Sequence, residues 1–125
     1  MNLNIMKKTM INANDVINFI ETLINKNIDF STWNTPEICK IRTDLDGSFV
    51  SIVLNVENNY ITLEFSYTNP IYINNISKVD ILDLQKVFIK AEEYSNERTE
   101  YKFKHYFDKI NEVDKTIDNL DDDED

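Results

Sequence analysis

The sequence predicts an α+β fold in two layers, and three observations carry that prediction. Two stretches near the middle alternate between apolar and polar residues, an amphipathic helical pattern precedes them, and apolar residues recur at helical spacing after them, with no Gly or Pro between residues 78 and 117. The expected order is an N-terminal helix, a three-stranded antiparallel meander with a short fourth edge strand, and two C-terminal helices packed on one sheet face. The corresponding organisation is a flexible leader over 1–11, a single α+β domain over 12–117 and a disordered acidic tail over 118–125.

The first helix follows the leader. Asn12 or Asn14 can cap it, Asp15 favours its positive N-terminal end, and Ile17, Ile20 and Ile24 share a face with Phe19 and Leu23 beside it. Asn25 to Asn27 supply its terminators. Asp29 to Pro36, with Trp33 inside it, reads as a connecting loop. Glu37 to Thr43 is the first strand of the meander, and a four-residue loop, Asp44-Leu45-Asp46-Gly47, sets Ile41 opposite Val50 and Cys39 opposite Ile52 on the apolar face. A three-residue loop would turn Lys40 and Arg42 to that face, at a heavy desolvation cost. In the next hairpin, Asn58-Asn59 supply two positive-φ residues, so that Val56 faces Ile61, Leu54 faces Leu63, Ile52 faces Phe65 and Val50 faces Tyr67. Ile71-Tyr72-Ile73 adds the edge strand after Asn69-Pro70.

Ser77-Lys78-Val79-Asp80 is a capping-box-like start with Asp in place of Glu. Val79, Leu82, Lys86 and Ile89 lie along one line, with Ile81, Leu84 and Phe88 adjoining. Phe103, Phe107, Ile110, Val113 and Ile117 recur beyond Ser95-Asn96, where two helices are expected to meet; the alternative is one helix of about 60 Å.

Charge is unevenly spread. Six of the 23 acids fall in residues 118–125, which hold no base, leaving 17 acids against 13 bases before them, a net of −4 out of the total of −10. Seventeen Asn and seventeen Ile stand beside one Gly, two Ala and two Pro, the usage of an A/T-rich genome. The single cysteine excludes an intramolecular disulfide, and no apolar run approaches the ~20 residues that span a bilayer. A cytoplasmic protein, not a membrane one, is expected.

The residues that could carry chemistry are few. Asp44-Leu45-Asp46-Gly47-Ser48 resembles the opening of a calcium loop, but the sixth and twelfth positions, where Gly and Glu belong, hold Phe49 and Asn55, so a hairpin turn is expected and no metal. His105 is the lone histidine, which rules out a multi-histidine site within one chain. Cys39 could serve as a nucleophile with His105 as its base, yet it falls on the apolar strand face, where free cysteine is a small buried hydrophobe. One Gly cannot build a phosphate loop, and Lys7-Lys8 is the only adjacent basic pair, so neither a nucleotide cofactor nor direct nucleic-acid binding is expected. The outer sheet face, with Ile38, Lys40, Arg42, Phe49, Ser51, Val53, Tyr60 and Glu64, mixes aromatic, aliphatic and charged residues as a binding surface does.

These features point to a small acidic non-enzymatic protein that binds and inhibits a protein partner, one with a basic nucleic-acid-binding surface. In size, acidity and helix–meander–helix build, rather than in any motif, the chain is similar to small acidic phage proteins of the anti-CRISPR and nucleic-acid-mimic type. The residues expected at the partner are Glu112, Asp114, Asp118, Asp121, Asp122, Asp123, Glu124 and Asp125. Three other readings stand beside this one. The first is an immunity protein against a basic nuclease toxin. The second is a small ligand-binding domain with Trp33, Tyr60, Tyr67 and Tyr72 at a pocket. The third is a structural or chaperone-like subunit that self-associates through Phe103, Phe107, Ile110, Val113 and Ile117.

Overall fold

The computed structural model describes residues 11–124, with side chains as far as Val113. The expected leader, residues 1–10 above all, therefore lies outside the described residues, as do Asp125 and the side chains of the acidic segment. The architecture is α+β: helix α1 (Ala13–Asn25), five strands and helix α2 (Lys78–Glu124). The strands are β1 (Ser31–Asn34), β2 (Ile38–Leu45), β3 (Ser48–Asn55), β4 (Tyr60–Phe65) and β5 (Ile71–Ile73), joined as an antiparallel meander in the order β1-β2-β3-β4-β5. Contacts divide the chain into two units, Met1–Ser95 and Asn96–Asp125.

In the first unit, Asn12 caps α1. Its side-chain oxygen accepts from the Asp15 N–H at 3.0 Å, and the Asp15 carboxylate accepts from the Asn12 N–H at 2.9 Å. This closes a capping box with Asp as its acid and satisfies two otherwise orphaned donors. The helix ends at Asn25, and Asn27 takes the left-handed conformation (φ 56°) that turns the chain toward the sheet.

Residues Ser31–Asn34 form a strand, not a loop. They pair with β2 so that Trp33 is opposite Lys40 and Asn34 opposite Cys39. Both hairpin registers also differ from expectation, each by two residues. Asp46 and Gly47 alone form the β2–β3 turn, both at positive φ (53° and 81°), as a type I′ turn requires, and Ile41 faces Ile52. The longer strands gain ladder hydrogen bonds that the four-residue loop forfeits. Between β3 and β4, Val56 to Asn59 all lie in the turn, only Asn59 of the two asparagines has positive φ (59°), and Leu54 faces Ile61. The Asn55 side chain accepts from the Asn58 N–H at 2.9 Å and favours this longer turn. A two-residue shift leaves every side chain on its expected face, because strand side chains repeat every two residues. The edge strand Ile71–Ile73 forms as expected.

The inner face, with Cys39, Ile41, Ile52, Leu54, Ile61, Leu63 and Ile73, shares one buried core with Ala13, Val16, Ile20 and Leu23 of α1 and with Ile81, Leu84, Val87, Phe88 and Ala91 of α2. Of the two adjoining apolar lines on α2, Ile81, Leu84 and Phe88 are buried, whereas Val79, Leu82 and Ile89 are exposed. Ser77 caps this helix, its Oγ accepting from the Asp80 N–H at 3.1 Å. Tyr94 ties the end of this unit down: its ring stacks on Phe30 at 5.9 Å and its hydroxyl donates to the Asn27 side chain.

One helix replaces the two expected. It runs through Ser95-Asn96, because those residues cost only about 0.5 kcal/mol each in a helix interior, while a break would orphan several backbone groups at two new ends. In the second unit every side chain from Tyr101 to Val113 is exposed. Phe103, Phe107, Ile110 and Val113, expected to cover the sheet, are exposed with the rest.

Candidate protein-interaction surface

Both helices contribute to the core on the inner face of the sheet, and within the first unit neither helix covers the outer face among the described residues. The ladder registers bring one residue from each strand into a transverse row: Trp33, Lys40, Val53, Thr62 and Tyr72. Trp33 and Tyr72, at the two edges, are 63% and 52% exposed. Such exposure is costly for large aromatic side chains in water unless something covers them.

A second row, Ser31, Arg42, Ser51 and Glu64, adjoins the first. Here the Arg42 guanidinium lies 4.4 Å from the Phe49 ring centroid and 3.2 Å from an Asp44 carboxylate oxygen. That solvent-screened ion pair contributes little to stability, but the ring fixes the direction of the guanidinium. In a third row Ile38, Asn55 and Tyr60 align, with Tyr60 against Tyr72 at 6.4 Å between ring centroids. All eight residues expected on the outer face therefore share it. The strand assignment adds Trp33, Thr62 and Tyr72.

The other candidates fall elsewhere. Cys39 is buried on the inner face, and desolvation, then the charge of Glu92, raises its thiol pKa. A thiol held protonated in this way is a poor nucleophile. Next to it, Asn34 donates through Nδ2 to the Phe88 carbonyl (3.2 Å) and to Glu92 (3.0 Å), a link between β1 and α2 rather than a reaction centre. His105 stacks on Tyr101 at 6.3 Å on the exposed surface of α2. Asp44 engages Arg42, and Asp46 sits in the turn. No metal-holding group of three or more His, Cys, Asp and Glu occurs among the described residues.

A cleft of about 170 Å³ opens between α1 and the sheet, lined by Ile11, Phe19, Val50, Leu63, Phe65 and their neighbours. Trp33, Tyr60, Tyr67 and Tyr72, expected to line a pocket, do not line this one. Of the acids expected to meet a partner, Glu112 is exposed on α2. The side chains of Asp114, Asp118, Asp121, Asp122, Asp123, Glu124 and Asp125 lie outside the described residues.

Comparison with protein-family models, with curated proteins and with solved structures finds no match. Among the described residues, no helix is long and apolar enough to cross a membrane.

Proposed function

We propose that this is a non-enzymatic binding protein that engages and inhibits a protein partner with a basic nucleic-acid-binding surface. The observation that carries the reading is the aromatic-edged row across the open sheet face. Exposed Trp and Tyr held on a rigid scaffold are the side chains that dominate binding energy at protein interfaces, because they bury much area at little entropic cost. Lys40 and Thr62 in the same row offer polar contacts between the two anchors. Glu112, Asp114, Asp118 and Asp121 to Asp125 add the electrostatic part: a concentrated negative segment steers a basic partner and raises its association rate.

Affinity capture from the source cell, with the full chain and three variants, tests this. Trp33→Ala and Tyr72→Ala are expected to lose the captured protein while retaining the fold. Deletion of 118–125 is expected to retain it, with slower association and a weaker salt dependence. Capture that survives both aromatic substitutions refutes the sheet face. A salt dependence unchanged by the deletion refutes the acidic role.

A further inference from the structure

Within the second unit, Phe103, Tyr106, Ile110 and Val113 form an exposed stripe on α2. Phe103 is 70% and Ile110 45% exposed, too much apolar area to be accounted for by packing within the chain. The spacing alternates three and four residues, and the sequence carries it on to Ile117 and Leu120. Phe103, Ile110 and Ile117 are therefore the a positions, and Tyr106, Val113 and Leu120 the d positions, of consecutive heptads, which is the seam of a coiled coil.

The charges say what lies on that seam. Residues 98–105 carry Arg98, Lys102 and Lys104 against Glu100, a net of +2; residues 118–125 carry six acids. The two segments are centred 20 positions apart on one helix, about 30 Å at 1.5 Å per residue. They cannot meet within the chain. A second copy running the other way brings them together.

We propose that residues 96–125 pair with the same segment of a second copy of this chain as an antiparallel two-stranded coiled coil. The layers then match Phe103 with Leu120 of the second copy, Tyr106 with Ile117 and Ile110 with Val113, with the two-fold axis between Ile110 and Val113. Each aromatic residue meets an aliphatic one. The +2 segment of each chain lies along the six acids of the other. A parallel pair would set acids against acids and Phe103 against Phe103. The pairing needs neither a foreign partner nor the sheet face, so it stands apart from the proposed inhibition.

Sedimentation of the full chain at tens of micromolar tests the association. Twice the monomer mass is expected, falling to the monomer for Ile110→Glu/Val113→Glu, whose substitutions lie on an exposed stripe and leave the first unit's unfolding unchanged. Disulfide trapping in a Cys39→Ala background tests the direction. Phe103→Cys with Leu120→Cys gives a covalent dimer, whereas Phe103→Cys alone gives little. A wild-type monomer at these concentrations overturns the proposal. Efficient cross-linking by Phe103→Cys alone overturns the antiparallel direction.

Discussion

Leu82 and Leu84 stand two residues apart on α2, and the structure assigns them opposite roles. Leu84 is fully buried in the core shared by both helices and the sheet, while Leu82 is 57% exposed. Truncating each to Ala removes the same three carbon groups and gains the same helix propensity, so any difference reports burial alone. For Leu84 the transfer cost is about 2.5 kcal/mol at ~0.8 kcal/mol per carbon group, and the cavity left in the shared core raises the total into the 2–5 kcal/mol range of buried leucines. For Leu82 the cost stays within about 0.5 kcal/mol. At roughly 4–8 °C per kcal/mol for a unit of this size, Leu84→Ala lowers Tm by about 10 °C or more and Leu82→Ala by a few degrees at most. Scanning calorimetry at matched protein concentration makes the measurement, since self-association would make Tm concentration-dependent. Equal shifts, or a larger shift for Leu82, would refute the assigned face of α2.

Two further outcomes follow from local geometry. Asn12→Ala removes the oxygen that receives the Asp15 N–H and lowers stability by about 1 kcal/mol, read from the urea midpoint at unchanged m-value. Cys39 has a pKa raised above the ordinary 9.0, by burial first and by Glu92 second. The unfolded thiol then ionises at a lower pH than the folded one, so its contribution is complete below pH 9.0 and is lost as pH rises through 9.0 toward the folded value. The stability difference between wild type and Cys39→Ala accordingly narrows above pH 9.0, and at neutral pH the wild-type thiol reacts with an aromatic disulfide reagent far more slowly than a free thiol. A gap that holds constant into alkaline solution would contradict the burial.

What was legible in the sequence follows the strength of each physical constraint. The faces of β2, β3 and β4 could be read because alternation fixes them, and an error of two residues in register changes no face. The register itself depended on turn chemistry. At Asp46-Gly47 the two-residue solution was written in the sequence, since an Asp-Gly pair is a strong type I′ signal. At Val56 to Asn59 the Asn-Asn pair pointed to a tighter turn than the one that Asn55 caps. β1 escaped notice because four residues carry too little pattern, and its position depends on pairing with β2 and on Asn34 reaching Phe88 and Glu92. Trp33 and Tyr72 reach one row only through that non-local pairing, so no local signal could have joined them. On α2 two apolar lines compete in the sequence, and only the sheet beneath it selects Ile81, Leu84 and Phe88 over Val79, Leu82 and Ile89.

The acidic segment takes on a different meaning once it is placed at the end of a helix. α2 has no base in its last turn, where the negative end of the helix dipole makes acids unfavourable by a few tenths of a kcal/mol each. Pairs such as Glu100 with Lys104 return only about 0.3–0.5 kcal/mol apiece. An isolated helix of this composition, with Phe103, Tyr106, Ile110 and Val113 in water, is a poor solution to its own sequence. The two defects have one remedy. Burying the stripe against an antiparallel copy sets bases from that copy beside the acidic end, and six acids against a net of +2 still leave an excess of four negative charges at each end of the seam. In the proposed dimer that excess is what the proposed basic partner would meet. The proposed self-pairing and the proposed partner recognition thus draw on different parts of the same charge, and at high salt the second is expected to be lost before the first, whose buried seam is only weakly screened.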